Sequence, residues 1–215
     1  MTTARDDILT KLRARVRGPQ ERPPVWESNR PFDDLAAQFV QELNTIKGEA
    51  FHVESLGAAL EKLGALLAEL DAKQIAANDE TPLNDLDLAG RWPDRVWFIT
   101  DKTEGDLRAF CAAADVGITG VDAALAETGS LVVTSGPGKS RMVSLLPPVH
   151  IALVPVSRLT NDIFTYMAAQ GHQTPDTMPA NRVIITGPSK SGDIEQILAL
   201  GMHGPKRCIA ILYDD

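Results

Sequence analysis

Apolar positions along the chain follow two rhythms, helical spacing and short unbroken runs, and the two alternate from about residue 50 onward. In Asp6 to Val16, the residues Ile8, Leu9, Leu12 and Val16 recur at helical spacing among Arg5, Lys11, Arg13, Arg15 and Arg17, which predicts a short basic amphipathic helix. Gly18-Pro-Gln-Glu-Arg-Pro-Pro follows; Pro23 and Pro24 forbid helix continuation and predict an extended connector, with Trp26 as an apolar anchor. From Asp33 to Ile46, Leu35, Phe39, Leu43 and Ile46 form a stripe opened by Asp33 as N-cap and closed by Gly48. A short strand over Ala50 to Glu54 precedes a second helix, capped by Ser55, whose stripe is Leu56, Leu60, Leu63, Leu67 and Leu70.

Gln74 to Ala77 is a weaker strand candidate, Asn78 to Pro93 reads as loop, Arg95 to Thr100 as a buried strand and Glu104 to Ala113 as a helix. The alternation then tightens. Asp115 to Gly120 is a strand, Val121 to Ala126 one or two helical turns, Gly129 to Thr134 a strand, and Gly136-Pro137-Gly138 a turn. Val143 to Leu146 and Val149 to Val154 are apolar segments split by Pro147-Pro148, and Thr160 to Gln170 is a helix. Strands at Arg182 to Thr186 and Arg207 to Tyr213 bracket a last helix, Asp193 to Leu200, ended by Gly201 and kept from continuing by Gly204-Pro205. Strands alternating with helices of this length predict an α/β fold, a mostly parallel sheet with helices on both faces. The expected organisation is an arm and linker over residues 1–30 and one α/β domain over residues 31–215.

Three segments carry candidate chemistry. Ile184-Ile-Thr-Gly-Pro-Ser-Lys-Ser-Gly-Asp-Ile-Glu reads as strand, turn and helix start, a place where backbone N–H groups favour an anion. Thr186, Gly187, Ser189, Lys190, Ser191 and Gly192 are its candidate ligand-binding residues; alternatively Ser189 or Ser191 caps the helix, with Asp193 and Glu195 complementing its dipole. Glu127, between apolar neighbours in Ala124-Leu-Ala-Glu-Thr-Gly-Ser, is a candidate general base or nucleophile, or a turn residue bonding backbone N–H groups. Lys139, Ser140 and Arg141 could contact an anion or form a solvated hairpin. Their loop is not a phosphate-binding P-loop, because Val133 stands where its first glycine belongs, nor a dinucleotide fingerprint, because Arg141 stands where Gly or Ala is needed.

Charge and composition narrow the partners. Among 215 residues, 29 Asp and Glu against 21 Lys and Arg give a net charge of -8, which repels a nucleic-acid backbone. No apolar run approaches the ~20 residues of a membrane span, and the first residues show no export signal, so a cytoplasmic protein is expected. His52, His150, His172 and His203 are scattered without metal-ligand spacing, and Cys111 and Cys208 lie far apart in apolar runs. No metal site and no cofactor are therefore expected in this chain.

Leu125-Ala-Glu-Thr-Gly-Ser, Val143-Ser-Leu-Leu-Pro, Ile185-Thr-Gly-Pro-Ser-Lys-Ser-Gly-Asp-Ile-Glu and Gly201-Met-His-Gly-Pro, in this order, resemble the LUD domain family. The resemblance spans essentially the whole chain. It implies a fold similar to coenzyme A transferases and sugar phosphate isomerases, and a role in the L-lactate utilisation system, oxidising lactate to pyruvate together with iron-sulfur partner proteins. It also implies that the redox centres belong to those other lactate utilisation proteins. The Glu127-Thr-Gly turn is similar to the turn that supplies a transferase nucleophile, so the alternative is a coenzyme A transferase or sugar phosphate isomerase-like enzyme using Glu127. Either way, the expected site is a crevice at the sheet's carboxyl edge that takes a small carboxylate or phosphate, formed by the loops around Glu127, Ser135 to Arg141 and Thr186 to Asp193.

Overall fold

The computed structural model describes residues 3–15, 31–171, 173–174, 176–192 and 198–215. The expected connector with Trp26, the end of the first helix at Val16, His172, Asp193 and Glu195 lie outside these. The first half holds α1 (Ala4–Arg15), α2 (Leu35–Thr45), β1 (Glu49–Val53), α3 (Leu56–Glu69), β2 (Gln74–Ala77), α4 (Leu88–Arg91), β3 (Val96–Ile99) and α5 (Leu107–Ala113). Next come β4 (Val116–Thr119), β5 (Ala123–Leu125), β6 (Ser130–Ser135), α6 (Arg141–Leu145), β7 (Val149–Pro155), β8 (Leu159–Thr160) and α7 (Ile163–Ala169). The chain ends with β9 (Asn181–Ile185), β10 (Lys190–Gly192), β11 (Leu198–Leu200) and β12 (Arg207–Tyr213). Among the described residues, no helix is long and apolar enough to cross a membrane.

Six strands in the order β1-β12-β7-β4-β2-β3, all parallel, form the main sheet. Successive side chains of a strand point to opposite faces, and both faces are covered. Ile75, Val116, Ile118, Ile151, Leu153, Ile209 and Ile211 face α3, meeting its Leu60, Leu63 and Leu67. Ala152, Val154, Ala210 and Leu212 face the other way, onto Phe39 and Leu43 of α2 and Leu131 and Val133 of β6. The two helices start where their caps dictate: Asp34 Oδ1 accepts from the Ala37 N–H at 2.9 Å and Ser55 Oγ from the Ala58 N–H at 3.2 Å. The α2 cap is thus Asp34, one residue after the expected Asp33. Each fully buried leucine in these layers contributes roughly 1.5–3 kcal/mol by leaving water.

A second, four-stranded sheet, β8-β5-β6-β9, lies on the α2 side and is where the structure departs from expectation. Val121 to Ala126 holds strand β5, not helical turns; it forms an antiparallel hairpin with β6, with Ala123 opposite Val132. Pairing and burial override the helix propensity of its Ala and Leu residues: Ala123 and Leu125 pack with Val132 against Tyr166 of α7. β9 joins β6 antiparallel, so Arg182 to Ile185 belongs to this sheet and not to the parallel one. The apolar segment Val143 to Leu146 falls largely within helix α6. The expected helix Asp193 to Leu200 is a strand at Leu198–Leu200, antiparallel to β10, while residues 193–197 lie outside the described residues.

Candidate functional site

The route of the chain through the main sheet selects one position on its carboxyl edge. After β2 the chain passes to β3 on one side, carrying Leu83 and Leu88 over the α3 face. After β4 it passes to β7 on the other side, through β5, β6 and α6 on the opposite face. The connections diverge between neighbouring strands β4 and β2, and such a switch point leaves a crevice at the strands' carboxyl ends.

Three polar groups follow directly on those strand ends: Asn78 and Glu80 after β2, and Asp122 after β4. Glu80 is buried; its Oε1 accepts from Asn78 Nδ2 at 3.0 Å and from the Gly120 N–H at 3.2 Å. Into this acidic corner the loop after β6 inserts Lys139, whose Nζ lies 3.0 Å from Asp122 Oδ1 and 3.5 Å from Glu80 Oε2.

The backbone of the inserted loop is fastened to two strand ends. The Gly138 N–H donates to Asp101 Oδ2 at 2.6 Å, beyond β3, and the Gly138 carbonyl accepts from the Asp79 N–H at 2.8 Å. The Ser140 N–H donates to Asn78 Oδ1 at 3.0 Å, which also accepts from Thr100 Oγ1 at 3.1 Å. Gly138 has φ +70°, and a Cβ there would lie 2.4 Å from the Asp79 carbonyl oxygen, so the loop closes this tightly only on glycine.

Burial raises the pKa of Glu80, against the Asn78 hydrogen bond and the Lys139 charge that lower it. Burial alone would lower that of Lys139, but hydrogen bonding and charge from Asp122, with Glu80 adding to them, more than reverse this and leave it raised. Lys139 is therefore a fixed ammonium.

Beside Lys139 opens a cleft of about 520 Å³, with Asp122, Ser135, Lys139, Arg158, Tyr166 and Arg182 among its lining residues. That volume falls in the range of small-molecule sites, roughly 300–1,000 Å³. The Arg182 guanidinium sits 5.3 Å from the Tyr166 ring centroid, and its Nη2 donates to Gln173 Oε1 at 3.0 Å. Among the described residues, no carboxylate lies within 4.0 Å of the Arg158 or Arg182 guanidinium. Lys139 is matched by two acids, whereas among the described residues Arg182 has no ion pair and Arg158 feels only the longer-range charge of Asp215, so the cleft can take up negative charge.

Of the residues singled out in the sequence, Lys139 lines this cleft. Ser140 caps α6, its Oγ accepting from the Met142 N–H at 3.3 Å, and Arg141 is exposed at the start of that helix. Glu127 lies half-buried in the turn of the β5–β6 hairpin, its N–H donating to the Asn161 carbonyl at 2.9 Å, and it does not line the cleft. That turn is seated on α2: Gly129, at φ +61°, would bring a Cβ within 2.3 Å of the Leu43 nitrogen. Thr186 Oγ1 is 2.8 Å from Ser130 Oγ, which is 2.7 Å from Thr128 Oγ1, giving a hydroxyl chain beneath the turn.

The segment after Thr186 runs along the end of α2, with Gly187 against Ile46. The Lys190 ammonium donates to the Ile46 carbonyl, capping α2, and the Ser189 N–H donates to the Pro205 carbonyl at 2.9 Å. Ser191 and Gly192 pair with Ala199 and Leu198. The structure thus brings Ser135 to Lys139 to the cleft and leaves Glu127 and Thr186 to Gly192 elsewhere. It adds Glu80, Asp122, Arg158, Tyr166 and Arg182, which sequence reasoning missed; acids placed directly after apolar strand runs were the available signal for Glu80 and Asp122. Among the described residues, no group of three or more His, Cys, Asp or Glu is placed to hold a metal ion.

A parallel sheet with an open crevice at its switch point and a small second sheet over one face defines an α/β protein with a cleft at the carboxyl edge of its sheet. Residues 36–213 match the LUD domain family, and the chain belongs to that family. It is 35% identical over 193 residues to lactate utilization protein C 1 of Bacillus mycoides, covering 85% of this chain and 80% of that one. To lactate utilization protein C of Shouchella clausii it is 33% identical over the full length of both. A solved structure, that of a DUF162 family protein from Deinococcus radiodurans, matches with a TM-score of 0.59 over 83% of this chain and 96% of that one; at 19% identity the likeness is one of fold.

Proposed function

We propose that this chain takes part in lactate utilisation, supporting oxidation of lactate to pyruvate in the cytoplasm together with iron-sulfur partner proteins, and that it binds a small carboxylate or phosphate in the cleft beside Lys139. The names of its full-length relatives support the first statement. The second rests on one observation: among the described residues Arg158 and Arg182 line the cleft without a close ion pair, Asp215 acting on Arg158 only at longer range, while Lys139 already has two acids. In this reading electrons leave lactate through clusters on the partners, residues 31–215 form the LUD domain, and residues 1–30 are an arm. The reading in which Glu127 acts as a transferase or isomerase group draws no support from the cleft, which Glu127 does not line.

Two measurements test the proposal. Lactate-dependent reduction of an artificial electron acceptor by the iron-sulfur partners, with and without this chain, is expected to require it; equal rates without it would overturn the role in lactate oxidation. Calorimetric titration of the chain alone with lactate, pyruvate, phosphate and coenzyme A is expected to show binding that weakens with added salt. Absence of binding by all four would overturn the anion site.

A further inference from the structure

The cleft offers more than positive charge. Asp122 is the one carboxylate among its lining residues, and only half of it is engaged: Oδ1 is held by Lys139 at 3.0 Å, while Oδ2, withdrawn from bulk water, has no hydrogen-bond partner among the described residues. An ionised acceptor left in this state is costly, and the cost is relieved only by a donor. No bond to Oδ2 fixes the carboxylate plane, and the χ2 torsion of an aspartate is soft, so a small rotation about the Lys139 contact turns Oδ2 toward the cleft. A second anion would meet repulsion there. A hydroxyl would donate. In the same cleft, Arg158 and Arg182 supply donors for an anionic group, and Arg182 is steadied by Gln173 and the Tyr166 ring.

Resting on the anion-binding reading above, we infer that the ligand of this cleft is a hydroxylated anion: its acidic group lies on Arg158 and Arg182, and its hydroxyl donates to Asp122, which makes Asp122 the residue that tells an alcohol from a ketone or a plain acid. The selection is built into the polarity of the pair. A carboxylate only accepts, so a keto oxygen at the same place would face a like partial charge with no proton between them.

The experiment compares matched probes on the full chain by isothermal titration: L-lactate against propionate and pyruvate, and glycerol 3-phosphate against inorganic phosphate. In the pair whose acidic group the arginines accept, the hydroxylated member is expected to bind at least about tenfold more tightly, as for a hydrogen bond to a charged group. Which pair shows this settles whether that group is a carboxylate or a phosphate. Asp122→Asn, which keeps an oxygen for Lys139 and replaces the second acceptor with a donor, is expected to erase the preference. Arg182→Gln is expected to weaken both members alike and keep their ratio. Equal binding of hydroxylated and plain anions to the unaltered chain would overturn the inference while leaving the anion site standing, as would a preference that survives Asp122→Asn. If no probe binds at all, the anion site fails and this inference falls with it.

Discussion

Lys139 Nζ stands 3.0 Å from Asp122 Oδ1, although the two residues enter the site from different ends of the β5–β6 hairpin. The contact closes the hairpin's open end onto the carboxyl edge of the parallel sheet, and with Glu80 beneath it the ammonium is the counter-charge for a buried acid.

Lys139→Met is therefore expected to destabilise the protein by roughly 2–3 kcal/mol at pH 7, below the full cost of orphaning a buried charge because Lys139 is partly exposed. The loss should shrink on acidification. Glu80 already has a pKa above its unfolded value, and without Lys139 it rises further, so the folded state holds the extra proton and gains stability as pH falls. Urea denaturation at pH 7 and pH 5 measures both; a deficit that is unchanged or larger at pH 5 would contradict the role of Glu80.

His150 gives the opposite pH dependence. It is fully buried in β7, Nε2 lies 2.8 Å from Thr119 Oγ1, and burial lowers its pKa from 6.5 to about 4. Between those values the unfolded chain binds a proton that the folded one refuses. Stability from this residue is thus complete above pH 6.5 and lost progressively toward pH 4, by roughly 3 kcal/mol. His150→Gln should flatten the stability profile in this window, as read from melting temperatures across it.

Gly138→Ala meets both a left-handed backbone conformation and the Asp79 carbonyl, and is expected to cost about 2 kcal/mol or more. Because Lys139 is the next residue, anion affinity should fall along with melting temperature. Gly136→Ala, a neighbour with open space around its Cβ position, serves as the control for folding and should leave the melting temperature nearly unchanged.

Glu127→Gln is expected to leave anion affinity in the cleft within about twofold of the unaltered chain, since its turn is seated on α2 and does not line the site. A tenfold loss in titration would tie the turn to the cleft.

Cys111 and Cys208 are buried, and burial raises their thiols to about 11 and about 12. Neither should react with iodoacetamide at pH 8 in the folded protein, and both should react in urea. Mass spectrometry of the two samples decides this.

The parallel sheet was legible because its strands are buried on both faces: Ile151 to Val154 and Cys208 to Tyr213 read as unbroken apolar runs too short for a helix. The helices α2 and α3 were legible from leucine spacing and their caps. The second sheet was not. Val121 to Ala126 carries alanines and leucine that favour a helix locally, and only its pairing with β6, remote from local propensity, makes it a strand. Leu198 to Leu200 failed for the same reason, its partner being Lys190 to Gly192. The cleft was half visible. Lys139 stood out by its glycine-rich loop, but Glu80, Asp122, Arg158 and Arg182 become neighbours only once strand order fixes the switch point, which no local spacing reveals.

The two sheets divide the site's charge between them. Beyond the strand ends of the parallel scaffold lie Glu80, Asp79, Asp101 and Asp122, with Lys102 paired to Asp79 at 2.7 Å, whereas Lys139, Arg158 and Arg182 are all carried by or beside strands of the smaller sheet. Stripped of that sheet, the carboxyl edge would be a net electronegative rim. The smaller sheet thus has two faces of different use: Leu131 and Val133 belong to the core, while substitutions at Arg158 and Arg182 can reset the charge the cleft accepts, and with it the molecules it admits, without touching that core.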